Sequence, residues 1–161
     1  MKTLTLIRHA KSSWEFNVTD HERPLKDRGI NDANLVAKAL VLNEIEVDKV
    51  IVSDAQRTKQ TADIILSKLK VQSNKISFNH KVYDFSGKDL TEVIMACENS
   101  VNHLMVFGHN HAITAFVNTY GNRFIDNVPT CGVVTIAFHT DHWAKLSDGK
   151  TMSTIFPREL R

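Results

Sequence analysis

Three short apolar runs, far apart in the chain, are each followed within a few residues by an arginine or a histidine. The runs cover residues 4–7, 50–52 and 104–107, and the strand predicted around the second run covers residues 47–52. Apolar and β-branched runs of this length are typical of strands that are buried on both faces of a parallel sheet. Since such a sheet needs helices on both faces, the chain is predicted to form a three-layer α/β/α sandwich.

The segments between these runs supply the other layers. Periodic apolar residues predict helices over residues 27–43, 55–69, 88–98 and 111–120, and a weaker third strand is predicted over residues 76–78. Residues 130–139 and 142–146 alternate around Thr140 and Asp141, a pattern typical of a hairpin. We therefore predict a single domain over residues 1–161, with a mostly parallel sheet of about five or six strands and an antiparallel edge strand.

Cationic side chains stand where the predicted strands end. Arg8 and His9 follow the first run, and Arg57 lies in the first turn of the helix after the second. The third run ends in Gly108 and His109. Ligands bind at the carboxyl edge of open α/β sheets, where these side chains would meet. Because the arginine fork suits phosphate oxygens and neutral imidazole is a competent nucleophile, the pattern predicts capture of a phosphate and attack on it.

The order of these motifs resembles the histidine phosphatase superfamily, whose signature is Arg-His after the first strand, an arginine opening a later helix, and a second Gly-His. Within that superfamily the chain looks like the small bacterial phosphohistidine phosphatases of the SixA type. The resemblance extends from Thr3 to about Leu160, and its motifs lie at residues 8–14, 23–25, 28–29 and 108–110. It implies a phosphoglycerate mutase-like fold. The chain departs from the pattern at Ala10, where glycine is commoner, and at His111-Ala112, where many members have Pro-Gly.

The resemblance implies a phosphatase in which His9 is the nucleophile and carries the phosphoryl group as a phosphohistidine. Arg8, Arg57 and His109 would stabilise the charge on the transferring oxygens. Four further side chains are predicted to bind the substrate: Lys11, Ser12, Arg23 and Asn110. The predicted reaction uses no cofactor and no metal. Its predicted substrate is a phosphorylated protein, with a His-containing phosphotransfer domain as one candidate, or a small phosphate ester.

A general acid for the leaving group is not fixed by the sequence. The family often uses an acidic residue on a middle loop or an aspartate directly after the second histidine, and Asn110 removes the second option. The remaining candidates are Asp20, His21, His80 and Asp84. The imidazole of a phosphohistidine leaves more easily than an alcohol does. The absence of a dedicated acid would therefore itself favour a phosphohistidine substrate.

Three other functions fit parts of the sequence. A small-molecule phosphomonoesterase of the same superfamily would use the same four side chains. A non-catalytic phosphate-binding module would keep the arginines but would not need His9. A metalloenzyme built on the 8 histidines is disfavoured, because the close pairs His109/His111 and His139/His142 are not accompanied by suitably placed carboxylates.

The length of the chain favours a protein substrate over a small molecule. Between Val71 and Leu104 there is room for one short strand, a loop and one helix, so no inserted cap domain is expected. An open pocket of this kind suits a side chain that protrudes from a partner. Lys11, Arg23 and Lys26 would then attract an acidic patch on that partner.

Residues 11–26 lack a helical or strand period and are predicted to form a long loop over the site. Trp14 and Phe16 favour an ordered lid. Two interpretations of Trp14 remain open at this stage, packing of the loop onto the body of the protein and contact with the substrate.

Composition excludes several classes of partner and location. The net charge of +2, from 20 basic and 18 acidic residues, is too balanced to indicate nucleic-acid binding. Cys97 and Cys131 form no metal-binding spacing and are predicted to be structural thiols in a reducing compartment. No signal peptide or membrane-spanning run is apparent, so we predict a cytoplasmic monomer without a membrane partner.

Overall fold

Six strands and four helices alternate along the chain in the computed structural model, which describes residues 1–161. The strands are β1 (Lys2–Arg8), β2 (Lys49–Val52), β3 (Ile76–Phe78), β4 (His103–Gly108), β5 (Val133–Phe138) and β6 (Lys150–Ile155). The helices are α1 (Asp27–Leu42), α2 (Gln56–Leu69), α3 (Lys88–Met95) and α4 (Ala112–Tyr120). Short 3₁₀ turns at Asp20–Glu22 and His80–Val82 lie in the loops that adjoin the site described below.

The strands form one sheet in the order β3-β2-β4-β1-β5-β6. β1 pairs in parallel with β4, and β2 pairs in parallel with both β3 and β4. β5 pairs antiparallel with β1 and with the edge strand β6. Four neighbouring strands are therefore parallel, and the antiparallel pairing lies on one side of the sheet.

Each face of the sheet carries its own hydrophobic core, because successive residues of a strand point to opposite faces. Leu104 and Val106 of β4 lie in a core of 23 buried residues that includes side chains of α3 and α4. Met105 and Phe107 lie in a core of 17 buried residues that includes side chains of α1 and α2. The middle of β4 is apolar at every position for this reason, and the predicted three-layer sandwich is confirmed.

The predicted hairpin around Thr140 and Asp141 is wrong in its second strand. β6 begins at Lys150, and the segment predicted as strand contains a 3₁₀ turn at Trp143–Lys145 instead. The Trp143 side chain is fully buried, and its indole Nε1 donates a hydrogen bond of 2.8 Å to the Val101 carbonyl. Burial of this large ring draws the segment into the core and away from the sheet edge. Among the helices, α3 ends at Met95, three residues before the predicted end.

Both cysteines of the chain are buried and unpaired. Cys97 and Cys131 are free thiols that lie in the two cores. They pack there as small apolar side chains, which is the structural role predicted for them.

None of the helices is both long and apolar enough to cross a membrane.

The carboxyl ends of β1, β2 and β4 meet at one edge of the sheet. Arg8 is level with Gly108, and the backbone N–H of His9 donates to the Gly108 carbonyl at 3.1 Å. The N–H of Ser53 donates to the Phe107 carbonyl at 3.0 Å, which extends the same ladder to the end of β2. The strand register thus places the residues after β1, β2 and β4 side by side.

Candidate active site

The structure brings together the four side chains that the sequence predicted as one pocket. His9, Arg57 and His109 are 7%, 2% and 1% exposed, and Arg8 is half-buried. The Nε of Arg57 donates to the Nε2 of His9 at 3.3 Å, and the rings of His9 and His109 are 5.2 Å apart between centroids. Arg57 reaches this point because it stands in the first turn of α2, directly after the end of β2.

His9 is held as a neutral imidazole with one unprotonated nitrogen. Its Nδ1 lies 2.7 Å from the Ala10 carbonyl, which can only accept, so Nδ1 carries the proton and Nε2 carries a lone pair. Burial is the largest influence on the pKa of His9 and lowers it to about 3. The charges of Arg57 and Arg8 act in the same direction, against the hydrogen bond to Ala10. Nε2 is therefore available as a nucleophile at neutral pH.

His109 is positioned by hydroxyl groups that the sequence analysis did not include. Its Nε2 lies 2.8 Å from the Ser53 hydroxyl and 3.3 Å from that of Thr58. Ser53 already accepts from the N–H of Ala55, so its own proton is free to donate to Nε2. With Ser53 as the donor, the His109 proton is on Nδ1, which is buried and has no partner. Burial, followed by the proximity of His9 and Arg57, lowers the pKa of His109 to about 2.

Arg8 contributes the second unpaired donor of the pocket. Its Nη1 donates to the Val128 carbonyl at 2.9 Å, whereas its Nε is buried without a partner. Buried donors in proteins are nearly always satisfied. Two orphaned N–H groups, on Arg8 and His109, are what an anion bound beside His9 would satisfy.

The guanidinium of Arg57 is occupied by Asp20 from the loop that covers the site. Its Nη1 donates to the Asp20 carbonyl at 2.7 Å and its Nη2 to the Asp20 carboxylate at 3.0 Å. The same carboxylate accepts from the hydroxyl of Tyr83 at 2.6 Å. Burial raises the pKa of Asp20, but the hydrogen bonds from Tyr83 and Arg57 outweigh it and lower the pKa to about 2. An ionised carboxylate thus lies where the arginine fork could hold two phosphate oxygens.

Comparison with known proteins finds a family that is similar to the first part of the chain. The model of the histidine phosphatase superfamily (branch 1) matches residues 4–77, which contain Arg8, His9 and Arg57. Over these residues the chain is similar to that superfamily. The neutral imidazole between two arginines has the groups that phosphoryl transfer needs.

Solved structures of phosphatases share the fold over nearly the whole length of the chain. The solved structure of the protein histidine phosphatase SixA complexed with tungstate has a TM-score of 0.84 at 18% identity and covers 99% of both chains. Phosphoserine phosphatase of Entamoeba histolytica, solved with 3-phosphoglyceric acid, has a TM-score of 0.67 at 15% identity and covers 100% of both chains. The predicted phosphoglycerate mutase-like fold is confirmed.

The similarity to sequence relatives extends beyond the part of the chain that the family model matches. An uncharacterised protein of Mycobacterium tuberculosis is 28% identical over 153 residues, 89% of this chain and 93% of the relative. The aligned length is that of a whole domain. The likeness therefore includes the second half of the sheet, where His109 stands.

Two of the predicted substrate-binding residues, Ser12 and Arg23, bond to each other within the covering loop. Arg23 is buried, and its Nη1 donates to the Ser12 hydroxyl at 2.7 Å. Its Nε donates to Asp20 at 3.1 Å, and its guanidinium stacks 3.5 Å from the centre of the Trp14 ring. Nε and Nη1 of Arg23 are thus used within the loop, and the predicted attraction of a partner by Arg23 stays a prediction. Lys11 is exposed, as its predicted role requires.

Asn110, the fourth predicted substrate-binding residue, ties two loops to helix α4. Its amide donates to Asn127 at 2.6 Å, and its carbonyl accepts from the hydroxyl of Thr114 at 2.7 Å. Both ends of the side chain are satisfied by protein groups. The structure therefore shows Asn110 as a positioning residue for the turn that carries His109.

The candidates for a general acid are also separated by their contacts. Asp84 caps the start of α3, since its carboxylate accepts from the backbone N–H groups of Gly87 and Leu90, both at 3.0 Å. Asp20 is ionised and bound to Arg57. His21 and His80 both bond to Asp54 at the rim of the pocket. No carboxylic acid is thus poised to donate a proton beside His9.

The expectation of an open pocket is wrong for the conformation described. No inserted domain is present, because only strand β3, two 3₁₀ turns and helix α3 lie between helix α2 and strand β4. The covering loop nevertheless closes over His9 through the contacts between Asp20 and Arg57. Tyr83, which the sequence analysis did not identify as a site residue, reinforces this closure from the opposite rim.

The depressed pKa values of the two buried histidines lead to a testable pH dependence of stability. Their pKa values of about 3 and about 2 lie below the value near 6.5 of an unfolded histidine. The unfolded chain therefore binds more protons, and stability falls as the pH decreases from about 6.5 towards 3. We expect the free energy of unfolding to fall by up to about 1.4 kcal/mol per pH unit for each histidine.

Urea unfolding at pH 7 and pH 5 measures this effect. The double variant His9→Asn/His109→Gln should lose less stability between the two pH values than the wild type. His139→Ala is the matched control, because His139 is exposed at the other edge of the sheet. Equal pH dependence in the wild type and the double variant would contradict the prediction.

Proposed function

We propose that this protein is a histidine phosphatase that hydrolyses phosphohistidine on another protein, through a phosphohistidine formed on its own His9. The observation that carries the proposal is the unprotonated Nε2 of His9, which accepts from Arg57 and lies in a site with two unpaired buried nitrogens, on Arg8 and His109. A nucleophile and three donors around one point are what a phosphoryl group requires.

In the first step, Nε2 of His9 attacks the phosphorus in line with the scissile bond to the substrate imidazole. The hydrogen bond from Arg57 to Nε2 breaks as the lone pair forms the new P–N bond. Arg8, Arg57 and His109 donate to the three equatorial oxygens, which carry the charge. The electron pair of the broken bond stays on the substrate imidazole, whose other nitrogen can already hold a proton.

In the second step, water attacks the phosphorus of the phosphorylated His9. The electron pair of the P–N bond returns to Nε2, and the water proton passes to the released phosphate or to solvent. His9 is restored in the neutral form that its burial favours. Two displacements through one histidine replace a single, more difficult one.

The choice of phosphohistidine rests on the absence of a placed acid. Asp84 is committed to the start of α3, and Asp20 is ionised against Arg57. An alcohol leaving group needs a proton in the transition state, whereas an imidazole does not. The fold shared with SixA, a protein histidine phosphatase, supports the same choice.

The choice of a protein substrate rests on the surface around the site. Trp14 and Phe16 on the covering loop are 76% and 57% exposed. Exposed aromatic side chains next to a functional site are typical of protein interfaces, where they are enriched. Lys11 and Lys26 are exposed on the same loop and supply positive charge for an acidic partner.

A small phosphoester is the second candidate substrate. The loop leaves His9 7% exposed, and such burial suits a small substrate that the loop can cover. The phosphoserine phosphatase of Entamoeba histolytica shares the fold. These observations favour a small substrate that the loop encloses. Values of kcat/KM for a phosphorylated protein and for small phosphoesters distinguish the two substrate classes.

Comparison of substrates tests the proposal. We expect kcat/KM for a phosphorylated His-containing phosphotransfer domain to exceed that for each of a panel of small phosphomonoesters by about tenfold or more, and to fall at high salt. Trp14→Ala should lower kcat/KM for the protein only. Met152→Ala, which removes an exposed apolar side chain from β6, is the matched control. A small ester that is better by about tenfold would overturn the protein assignment while leaving the phosphatase assignment intact.

A further inference from the structure

Two histidines and an aspartate from three separate segments converge at the rim of the pocket. His21 lies in the 3₁₀ turn of the covering loop, Asp54 follows β2, and His80 lies in the 3₁₀ turn after β3. Nε2 of His21 is 2.8 Å from Asp54, and Nδ1 of His80 is 2.9 Å from the same carboxylate. One nitrogen or oxygen of each residue lies within 4.8 Å of the other two.

This donor set has the chemistry of a transition-metal site. Two imidazole nitrogens and one carboxylate oxygen bind Zn²⁺ and similar ions at about 2.0–2.2 Å, with a fourth position left to water. Such bond lengths place the donor atoms a little more than 3 Å apart, so small side-chain rotations would suffice. Hard cations such as Mg²⁺ and Ca²⁺ prefer oxygen donors, which argues for the zinc class.

The cluster also connects the covering loop to the body of the protein. His21 follows Asp20, which occupies Arg57, and Asp54 follows Ser53, which holds His109. His21 is the only one of the three ligands on the loop. When the loop lifts to admit a substrate, His21 must move away from Asp54 and His80.

We propose that His21, Asp54 and His80 bind a divalent transition metal of the zinc class, and that the bound metal keeps the covering loop closed over His9. The ion takes no part in phosphoryl transfer. It is a regulator, because it binds the closed conformation better than the open one and so shifts the population towards the closed one. A closed loop would keep substrate from His9, so the bound metal would inhibit the enzyme. This inhibition rests on the proposed phosphatase function, whereas metal binding and loop closure do not.

Titration of the untagged, chelator-treated protein with Zn²⁺ tests the site itself. Calorimetry should show one ion per chain, and Co²⁺ should give the visible absorption of a low-symmetry four-coordinate site. His21→Ala and His80→Ala should each weaken Zn²⁺ binding by about tenfold or more, since even loss of a ligand's outer-shell partner has effects of that size. His139→Ala is the matched histidine control. Absence of Zn²⁺ binding, or equal binding in all variants, would overturn the site.

Hydrogen exchange tests the closure without relying on activity. Zn²⁺ should slow amide exchange in residues 14–23 of the wild type and not of His80→Ala. The ratio of kcat/KM with and without Zn²⁺ should fall well below one in the wild type and stay near one in His80→Ala. Unchanged exchange in the wild type would overturn loop closure by the metal. If exchange slows but no phosphatase activity is found in any variant, the proposed function fails while the metal-controlled loop stands.

Discussion

Replacement of His9 by alanine is expected to lower the phosphatase activity by about 10⁴-fold or more, the scale of loss that follows removal of a covalent nucleophile. The reason is positional. Nε2 of His9 carries the lone pair and faces Arg57. The nearby His109 has its own Nε2 directed to the hydroxyls of Ser53 and Thr58 instead. No second nucleophile is placed to take over.

His9→Asn is the more informative variant, because its side-chain amide can replace Nδ1 as donor to the Ala10 carbonyl. It keeps that contact but lacks the nucleophile, so it should fold like the wild type and be as inactive as His9→Ala. Rapid quenching with labelled substrate should trap an alkali-stable, acid-labile label in the wild type and none in either variant. Full activity in His9→Asn would rule out the covalent route.

Replacement of Arg57 by alanine is expected to lower kcat/KM by about 10² to 10³-fold, the loss typical of a charged donor to the transition state. Arg57 is 2% exposed and touches both the nucleophile and the loop carboxylate, so its fork is fixed before substrate binds. Arg57→Lys keeps the charge but loses the planar fork, and it should recover only part of the activity.

Two measurements separate this effect from a general loss of structure. Lys59→Ala removes an exposed cation from the same helix and should leave kcat/KM near the wild-type value. Thermal unfolding should show that Arg57→Ala is folded at the assay temperature, because its main ion-pair partner, Asp20, is 43% exposed and can be hydrated. A loss of less than about fivefold would contradict a role for Arg57 in the transition state.

The approach of Arg8, His9, Arg57 and His109 could be predicted because it depends on topology alone. Parallel strands end at the same edge of a sheet, so residues that follow β1, β2 and β4 must be neighbours wherever they lie in the chain. The periodic apolar runs indicated those strands directly. Local hydrophobic pattern and strand direction were sufficient, and no side-chain detail was required.

The features that were not predicted concern segments whose conformation is set by a single distant contact. The region around Trp143 alternates like a strand, but burial of the indole against Val101 decides its path. Arg23 resembles a surface cation in sequence, yet Ser12 and Asp20 take its donors. A propensity summed over neighbours in sequence does not contain such contacts.

The sequence by itself determined the α/β/α layers, the edge of the sheet that carries the site, and the chemical types of its nucleophile and donors. Tertiary structure alone decided the protonated nitrogen of His9, the position of Asp20 on Arg57, and the meeting of His21, Asp54 and His80. The physical reason is one of range. Hydrophobic periodicity is a local property of the chain, whereas hydrogen bonds depend on distances of about 3 Å between residues that only the folded chain brings together.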